Sequence, residues 1–498
     1  MKLKAKVLDL STEEGPFIAI LNEDDARKLD VFALDRVKII YGKKDIIATL
    51  DISNKIVKPG EIGLFQEVSK RLNVKNNTLV EILLEKKPEC ISYIKKKLKN
   101  EYLNKEEIFS IIKSIVNNEL SDIELTYFVS ACYSNKLSKD ETINLIKAIL
   151  ESGGKLELKD KKIIVDKHSI GGVPGNRTTM IIVPILAAAG ATIPKTSSRA
   201  ITSAAGTADT MEVLAPVELS IEKIKQVVEK TNGCIVWGGA NELAGADDKL
   251  IKIERPLSLD SESLLLASVL SKKISVNATH VLIDIPIGEE KEDAKIQTKR
   301  EAKKLGKKFI QLGKKFGLKI KIFINDGSEP LGNGIGPNLE ARDVLKVLQN
   351  KYDAPKDLKN KSIKIAGLML NMIDKGDEKK AKEILESGRA YIKMKEIIKE
   401  QGGDPDITID EIKLGKFSYN VTAKKEGYVK NVDNKAIAKI ARISGAPKDK
   451  EAGIYLHVKK GDLVKDNDVL FTVYSKDNKK LAYTLDIFNE NDKIVEIS

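Results

Sequence analysis

The sequence is poor in the residues that build disulfide frameworks, metal sites and membrane spans. It has only three cysteines, Cys90, Cys132 and Cys234, and no two of them form a C-x-x-C pair. This scarcity argues against a disulfide framework and a zinc ribbon, and it fits a reducing compartment. No apolar run approaches the ~20 residues that a membrane span needs, and the lysine-rich N-terminus has no apolar signal-peptide stretch. We therefore expect a cytoplasmic protein with no membrane segment.

The sequence also lacks the patterns of a nucleic-acid-binding surface. Lysine and arginine outnumber the acidic residues by 85 to 73, but the lysines are mixed with Glu and Asp, as in residues 291–301. There is no arginine-rich run and no alternation of aromatic and basic residues. We therefore expect no nucleic-acid partner, although a net charge of +12 favours small anionic substrates.

Two small domains are expected at the start of the chain. Residues 1–84 hold short β-branched runs separated by turns and predict a β-barrel-like domain, with one short helix near Asn22 and another over Gly63–Leu72. Residues 85–155 have the helical period and predict a helical domain, to which residues from about 243–275 contribute. In a capping box, a side chain at the cap and a glutamate three residues later satisfy free backbone N–H groups. Three such boxes mark helix starts in this helical domain: Asn104–Glu107, Ser121–Glu124 and Ser138–Glu141.

The rest of the chain predicts a large domain and a smaller one. Residues 156–405 alternate strands and helices, which predicts an α/β domain with a mostly parallel sheet. Residues 406–498 return to short strands and turns and predict a C-terminal α+β domain. The fold class is therefore multidomain α/β. Ligands of such sheets bind beyond the carboxyl ends of the strands, so the loops after Ile163–Val165 and after Ile193 are candidate sites.

The first of these loops, Asp166–Thr179, has the composition of a phosphate-binding loop. Its three glycines allow the backbone to approach a ligand closely, and free N–H groups at the following helix start favour an anion. The charged and hydroxyl candidates are Lys167, Ser169, Thr178 and Thr179. The loop does not end in the Gly-Lys-Ser/Thr of a P-loop, and an ordinary glycine-rich turn is the alternative.

The second loop, Ser197–Glu212, carries a family signature. It contains small hydroxyl residues, one arginine and a Gly-Thr step close together in sequence. This composition suits a ligand-binding loop better than a core segment, and an ordinary surface loop is the alternative. Its Ser-Ser-Arg-Ala start and its Gly-Thr-Ala-Asp-Thr-Met-Glu end resemble the signature of thymidine and pyrimidine-nucleoside phosphorylases. Lys167–Val173 and Pro330–Glu340 resemble two other blocks of that family in the same order, and the similarity covers roughly residues 87–498.

Three departures from the bacterial members are informative. Ala200–Gly206 replaces their Gly-Leu-Gly-His-Thr-Gly-Gly, Pro174 interrupts the first loop, and residues 1–84 have no counterpart in them. These features resemble the archaeal AMP phosphorylases of the family. The resemblance implies a pentosyltransferase of nucleotide catabolism that cleaves AMP, and also CMP or UMP, with inorganic phosphate to ribose 1,5-bisphosphate and free base. The alternative is a pyrimidine-nucleoside (thymidine or uridine) phosphorylase.

The resemblance also implies roles for single residues. Asp260 matches the acid that protonates the leaving base, although it also fits a helix N-cap. Lys295 matches a nucleotide-contacting position, with Lys291 as its competitor. The positions expected to bind the nucleotide are Gly172, Ser198, Arg199, Ala200, Ile201, Thr202, Ser203, Thr207, Ser268 and Lys295. Those expected to bind phosphate are Lys167, Ser169, Thr179, Ser197 and Thr207.

The same resemblance bears on cofactors and partners. No metal and no organic cofactor is expected, because no carboxylate or histidine cluster suggests a metal site and phosphorolysis needs neither. The absence of a paired acidic motif also disfavours a magnesium-dependent phosphoribosyltransferase. We expect a homodimer that assembles into a larger homo-oligomer through residues 1–84, although these residues could instead form a binding module.

Overall fold

A computed structural model describes residues 1–12, 16–85, 87–158, 161–200, 203–239, 245–254, 261–288, 296, 298–487 and 494–498. The chain divides into two compact units. The first comprises Met1–Ser152 with Gly245–Ala267, and the second comprises Gly153–Ala244 with Ser268–Ser498. Within the described ranges, no helix is long and apolar enough to cross a membrane.

The first unit begins with a closed six-stranded barrel. Its strands and helices are β1 (Lys2–Val7), β2 (Ile18–Leu21), α1 (Glu23–Leu29), β3 (Arg36–Tyr41), β4 (Lys44–Ile52), β5 (Glu61–Leu64), α2 (Gln66–Leu72) and β6 (Leu79–Leu84). The strands pair in the order β1-β5-β2-β4-β3-β6. The helix predicted over Gly63–Leu72 is wrong at its start, because Gly63 and Leu64 belong to β5. There Ile62 and Leu64 point into the barrel core, and a Cβ atom on Gly63 would lie 2.8 Å from a core leucine.

Four helices follow the barrel. They are α3 (Cys90–Leu98), α4 (Lys105–Val116), α5 (Asp122–Ser134) and α6 (Lys139–Ser152). All three predicted capping boxes form, since the cap side chain accepts from the third residue's N–H while that residue's glutamate accepts from the cap N–H. The periodic isoleucines of α4 are buried, which explains why this amphipathic segment packs as a helix.

The second unit contains most of the α/β part of the chain. In chain order the elements after α6 are β7 (Val165–Ser169), α7 (Thr178–Ala188), β8 (Ile193–Ser197), α8 (Thr207–Met211), α9 (Ile221–Thr231), β9 (Gly233–Trp237), α10 (Gly245–Glu254), α11 (Glu262–Ser275), β10 (His280–Ile287), α12 (Lys299–Lys315), β11 (Lys319–Asp326), β12 (Gly334–Ile335), α13 (Pro337–Leu348), α14 (Lys356–Met372), α15 (Glu378–Glu386) and α16 (Arg389–Gln401). Of these, α10 and the first part of α11, up to Ala267, lie in the first unit, where α10 contacts α4, α5 and α6.

The sheet that positions the candidate loops is parallel. Strands β11, β10 and β7 pair side by side, β8 pairs with β9, and a parallel bridge between Ile164 and Thr192 joins the two groups. Helix α7 is apolar all round and packs in the core beside this sheet. The strand predicted at Ile163–Val165 lies too early, because β7 runs to Ser169. Its polar residues extend the strand since they pair with β10.

The chain ends in a smaller antiparallel part. Its elements are β13 (Phe417–Thr422), β14 (Gly427–Val432), α17 (Asn434–Ile443), β15 (Gly453–Leu456), β16 (Leu463–Val464), β17 (Val469–Ser475), α18 (Asn478–Ile487) and β18 (Val495–Ile497). The two sheets are β12-β15-β17-β13 and β16-β14-β18. Because β12 pairs with β15, the third motif block is anchored to this C-terminal part. The multidomain α/β organisation expected from the sequence is confirmed.

Candidate functional site

Strand β7 places a lysine and a serine on one face of the sheet. Residues two apart in a strand share a face, so Lys167 and Ser169 point the same way. Ser169 is also paired in register with Asp284 of β10. The Ser169 hydroxyl donates to Asp284 Oδ2 at 2.8 Å, and Lys167 Nζ lies 3.3 Å from the same oxygen. An ammonium group and a hydroxyl group therefore stand side by side near the carboxyl end of β7.

These charges are buried and remain paired. Lys167 and Asp284 are almost fully enclosed, and burial lowers the pKa of Lys167 against the opposing attraction of Asp284. Burial would raise the pKa of Asp284, but the charges of Lys167 and Lys361 hold that pKa below its ordinary value. The carboxylate therefore stays ionised between two lysines.

The loop between β7 and α7 closes a ring of hydrogen bonds. Lys167 Nζ donates to Thr178 Oγ1 at 3.2 Å, and Thr178 in turn donates to Asn176 Oδ1 at 3.0 Å. Asn176 Nδ2 then donates to Ser169 Oγ at 3.3 Å. The turn needs Gly175, because its φ is +70° and a Cβ atom would lie 2.1 Å from a backbone oxygen. We call Lys167, Ser169, Asn176, Thr178 and Asp284 the Lys167 network.

A carboxylate closes the second candidate loop. Asp209 Oδ2 accepts from the N–H of Ala200 at 2.6 Å and from that of Gly206 at 2.8 Å. Gly206 must be a glycine, because a Cβ atom there would lie 2.5 Å from Ser198 O. The loop then enters α8 at Thr207. The aspartate of the Gly-Thr-x-Asp signature therefore has a local task, which is to fold the loop back on itself.

Arg199 of this loop lies in a cluster of carboxylates. Its guanidinium is 2.6 Å from Glu212, 2.8 Å from Glu218 and 3.3 Å from Asp209, and it stacks over Trp237 at 4.8 Å from the ring centroid. The hydrogen bond from Arg199 lowers the pKa of Glu212 to about 2, and the same bond raises the pKa of Arg199. A nucleotide phosphate bound by Arg199 would have to compete with these three carboxylates.

Arg177, which the sequence reasoning missed, joins the first candidate loop, to which it belongs, to the second loop and to the third motif block. Its Nε pairs with Glu340 of the third block. Its terminal nitrogens donate to Asn176 O at 3.1 Å, Thr207 Oγ1 at 3.3 Å and Ala205 O at 2.5 Å. The signal that could have found it is the single arginine of the first loop, Asp166–Thr179, and the single glutamate of the third block. Because Asn176 also contacts Ser169, the first and second loops share one connected set of polar groups.

The opposite face of β7 carries a second charged cluster. Asp166 Oδ2 lies 2.6 Å from Lys273 Nζ, and its Oδ1 lies 3.7 Å from Lys195 Nζ. Burial lowers the pKa of Lys195 to about 7, with Lys273 adding to the effect while Asp166 opposes it. Burial and the surrounding lysines hold the pKa of His168 well below its ordinary value, so this imidazole is neutral near pH 7.

The other expected site residues divide into two groups. Five lie outside the described residues: Ile201, Thr202, Asp260, Lys295 and its competitor Lys291. Of the rest, Thr179 is buried in α7, Ser268 is half-buried in α11, and Gly172 and Ser198 are exposed. Two hydroxyls are bonded to the backbone: Ser197 Oγ donates to Val236 O at 3.1 Å, and Ser203 Oγ donates to Ala205 O at 2.9 Å. Within the described ranges, no three His, Cys, Asp or Glu side chains are arranged to hold a metal ion.

Three domain families match this chain. The helical bundle domain of a glycosyl transferase family matches residues 91–153, and the a/b domain of that family matches residues 161–391. The pyrimidine nucleoside phosphorylase C-terminal domain matches residues 428–495. The matches fall in the same order as the helical, α/β and C-terminal parts of the structure.

Relatives similar to the chain over nearly its whole length are named AMP phosphorylase. The AMP phosphorylase of Thermococcus sibiricus is 47% identical over 97% of this chain and 95% of its own length. AMP phosphorylase 1 of Archaeoglobus fulgidus is 44% identical over 98% of this chain and 97% of its own length. Among solved structures, anthranilate phosphoribosyltransferase from Thermus thermophilus covers 62% of this chain and 98% of its own, with a TM-score of 0.51 and 17% identity. That last likeness is one of fold alone.

Proposed function

This chain belongs to the AMP phosphorylase family, and from that premise we propose that it cleaves AMP with inorganic phosphate to free adenine and ribose 1,5-bisphosphate. CMP and UMP are proposed as further substrates. The observation that carries the proposal is the connection from Ser169 through Asn176 and Arg177 to Thr207. It links the loop proposed for the attacking phosphate to the loop proposed for the nucleotide.

The reaction exchanges one bond at the anomeric carbon of the ribose. An oxygen of inorganic phosphate forms a bond to C1′ while the bond from C1′ to the base nitrogen breaks. The base leaves with the electron pair of that bond and takes up a proton. As in other glycosyl transfers, positive charge develops on the ribose in the transition state. The protein must therefore hold phosphate in line, supply the proton and anchor the nucleotide.

The Lys167 network is suited to holding the phosphate. Lys167 provides a buried positive charge and Ser169 a hydroxyl donor on the same face of β7. Hydrogen bonds in which the donor or the acceptor is charged are roughly twice as strong as those between neutral groups. Held this way, a phosphate oxygen needs little further ordering to attack C1′. Thr179, Ser197 and Thr207 are proposed as additional phosphate ligands.

The proton and the nucleotide anchor are assigned from the motif matches. Asp260 is proposed as the acid that protonates the leaving base. The segment from Ser198 to Thr207, together with Gly172, Ser268 and Lys295, is proposed to bind the nucleotide. Anchoring the 5′-phosphate away from the reacting carbon would add binding energy that positions C1′, which favours a nucleotide over a nucleoside as substrate.

Product analysis tests this proposal. The purified protein is incubated with inorganic phosphate and, separately, AMP, uridine or thymidine, and the products are separated by anion-exchange chromatography. We expect adenine and a doubly phosphorylated ribose from AMP, and little conversion of the nucleosides. Faster cleavage of uridine than of AMP would favour the pyrimidine-nucleoside alternative. Release of ribose 5-phosphate without added phosphate would identify a hydrolase and refute phosphorolysis.

The barrel is proposed to hold copies of the chain together, with homodimers assembling into a larger homo-oligomer in the cytoplasm. Large apolar side chains are exposed on β6 and on the segment that leads into its neighbour β3, among them Leu79, Leu83, Leu84 and Phe32. Exposed apolar patches of this kind mark contact surfaces. Leu84→Lys should lower the mass measured by light scattering at a fixed concentration, while Tyr352→Lys, on the exposed surface of the second unit, should not. An unchanged mass for the Leu84 variant would contradict assembly through this surface.

A further inference from the structure

Helix α14 contributes a lysine that no motif block contains. The Lys361 side chain is 10% exposed, and its Nζ lies 3.7 Å from Asp284 Oδ2. That oxygen already accepts the Ser169 hydroxyl and pairs with Lys167. Two ammonium groups from different parts of the chain therefore converge on one carboxylate oxygen. At 3.7 Å, the contact of Lys361 with this oxygen is longer than those of Lys167 and Ser169.

A purely structural role does not explain why Lys361 is buried with so little pairing. Burying an ammonium group costs several kcal/mol unless close pairing offsets the loss of water. Lys361 has three N–H donors, and within the described part of the chain its ion pair is the distant one with Asp284. Burial accordingly lowers its pKa, with Asp284 opposing the shift. The other Asp284 oxygen is occupied as well, since it accepts from Asn325 Nδ2 at 2.5 Å.

The balance of charge around Asp284 favours an added anion. Lys167 and Lys361 both contact Asp284, so two positive charges meet one negative charge at this carboxylate. Asp326 and Asp357 also attract Lys361, but Asp357 is itself paired with Lys459. An inorganic phosphate at neutral pH carries one to two negative charges, and its oxygens are far enough apart to contact both ammonium groups. Attraction between opposite charges about 4 Å apart is stronger at the low effective dielectric constant inside a protein than in water.

The site has an open side from which such an anion can enter. Ser169 is half-buried, and Gly172, a short way along the loop, is exposed with no atom within 4 Å of the position of a Cβ. We propose that Lys361 is a further ligand of the attacking phosphate and supplies, from α14, the second positive charge of the Lys167 network. This inference rests on the proposed phosphate site at Lys167 and Ser169.

Steady-state kinetics with matched variants test the role of Lys361. Lys361→Met should raise the KM for phosphate roughly tenfold or more, while the KM for AMP changes by less than about twofold. Lys361→Arg should restore most of the phosphate affinity, because it retains the charge. The control is Lys364→Met on the same helix, where the lysine is exposed and lies over the Phe323 ring, and it should behave like the parent.

A binding measurement makes the test independent of turnover. Inorganic phosphate is titrated calorimetrically into the parent and the three variants, whose folding is checked by circular dichroism. A roughly tenfold weaker phosphate affinity in Lys361→Met, restored in Lys361→Arg, supports the inference even if AMP is not cleaved. Equal affinities in the parent and Lys361→Met would overturn it. A change confined to the KM for AMP would overturn it too, as would the absence of phosphate binding by the parent.

Discussion

Removing Arg177 should destabilise the second unit strongly, because one guanidinium holds the two candidate loops and the third motif block together. The substitution Arg177→Met deletes the ion pair with Glu340 and the bonds to Asn176 O, Ala205 O and Thr207 Oγ1. Glu340 keeps the Thr210 hydroxyl at 2.8 Å and a backbone N–H at 3.3 Å, which do not neutralise its charge.

The magnitude follows from the burial of this pair. The side-chain exposures are 9% for Arg177 and 1% for Glu340. Breaking a buried ion pair by removing one partner costs ~3–5 kcal/mol, because the other charge stays buried and uncompensated. Adding Glu340→Gln removes that charge, so the double variant should regain about 1–3 kcal/mol over Arg177→Met. Arg300→Met, at an exposed arginine of α12, should change stability by less than ~0.5 kcal/mol.

Chemical denaturation followed by tryptophan fluorescence measures these differences. Trp237 is the only tryptophan of the chain and lies in the second unit, so its emission reports the unfolding of that unit. A loss below about 1 kcal/mol for Arg177→Met would refute the reasoning. A double variant no more stable than Arg177→Met would refute the part played by the unpaired Glu340 charge.

Two further predictions concern the turn and the third block. Gly175→Ala should cost roughly 3 kcal/mol or more in denaturant unfolding, because its Cβ would collide with a backbone oxygen. Gly388→Ala, with φ of +80° but open space around it, should cost only ~1 kcal/mol, and equal costs would contradict the collision. Asp343 of α13 accepts from the N–H groups of Asn333 and Gly334 in the third block. Burial raises the pKa of Asp343 to about 6 from 3.8, so its stabilising contribution is full below pH 3.8 and is lost as the pH rises through 6. Asp343→Asn should therefore gain ~2–3 kcal/mol relative to the parent between pH 4 and pH 8. A constant difference over that range would contradict the prediction.

Local sequence signals were enough to predict several elements. The capping boxes located α4, α5 and α6, because the cap and the glutamate that define each box lie within one helical turn. Local residues also set both ends of α9, since Ser220 caps its start and Asn232 adopts a left-handed conformation at its end. Lys167 and Ser169 were singled out as candidates because they precede glycines and threonines that are their neighbours in sequence.

The remaining parts of the site depend on contacts between distant residues. Ser169 and Asp284 are 115 positions apart, and Arg177 and Glu340 are 163 apart, so no window of sequence contains both partners. The same cause explains the misplaced β7. Its residues Asp166–Ser169 have no apolar pattern and become a strand through the ladder with β10. Lys361 went unnoticed because, within α14, it is one lysine among several.

A crystal structure of the protein with inorganic phosphate bound tests the central claim most directly. Phosphate oxygens should lie at hydrogen-bonding distance, about 2.7–3.2 Å, from Lys167 Nζ and Ser169 Oγ, on the side of the site that faces Thr207. Phosphate bound elsewhere, with Lys167 and Ser169 still paired only to Asp284, would contradict it.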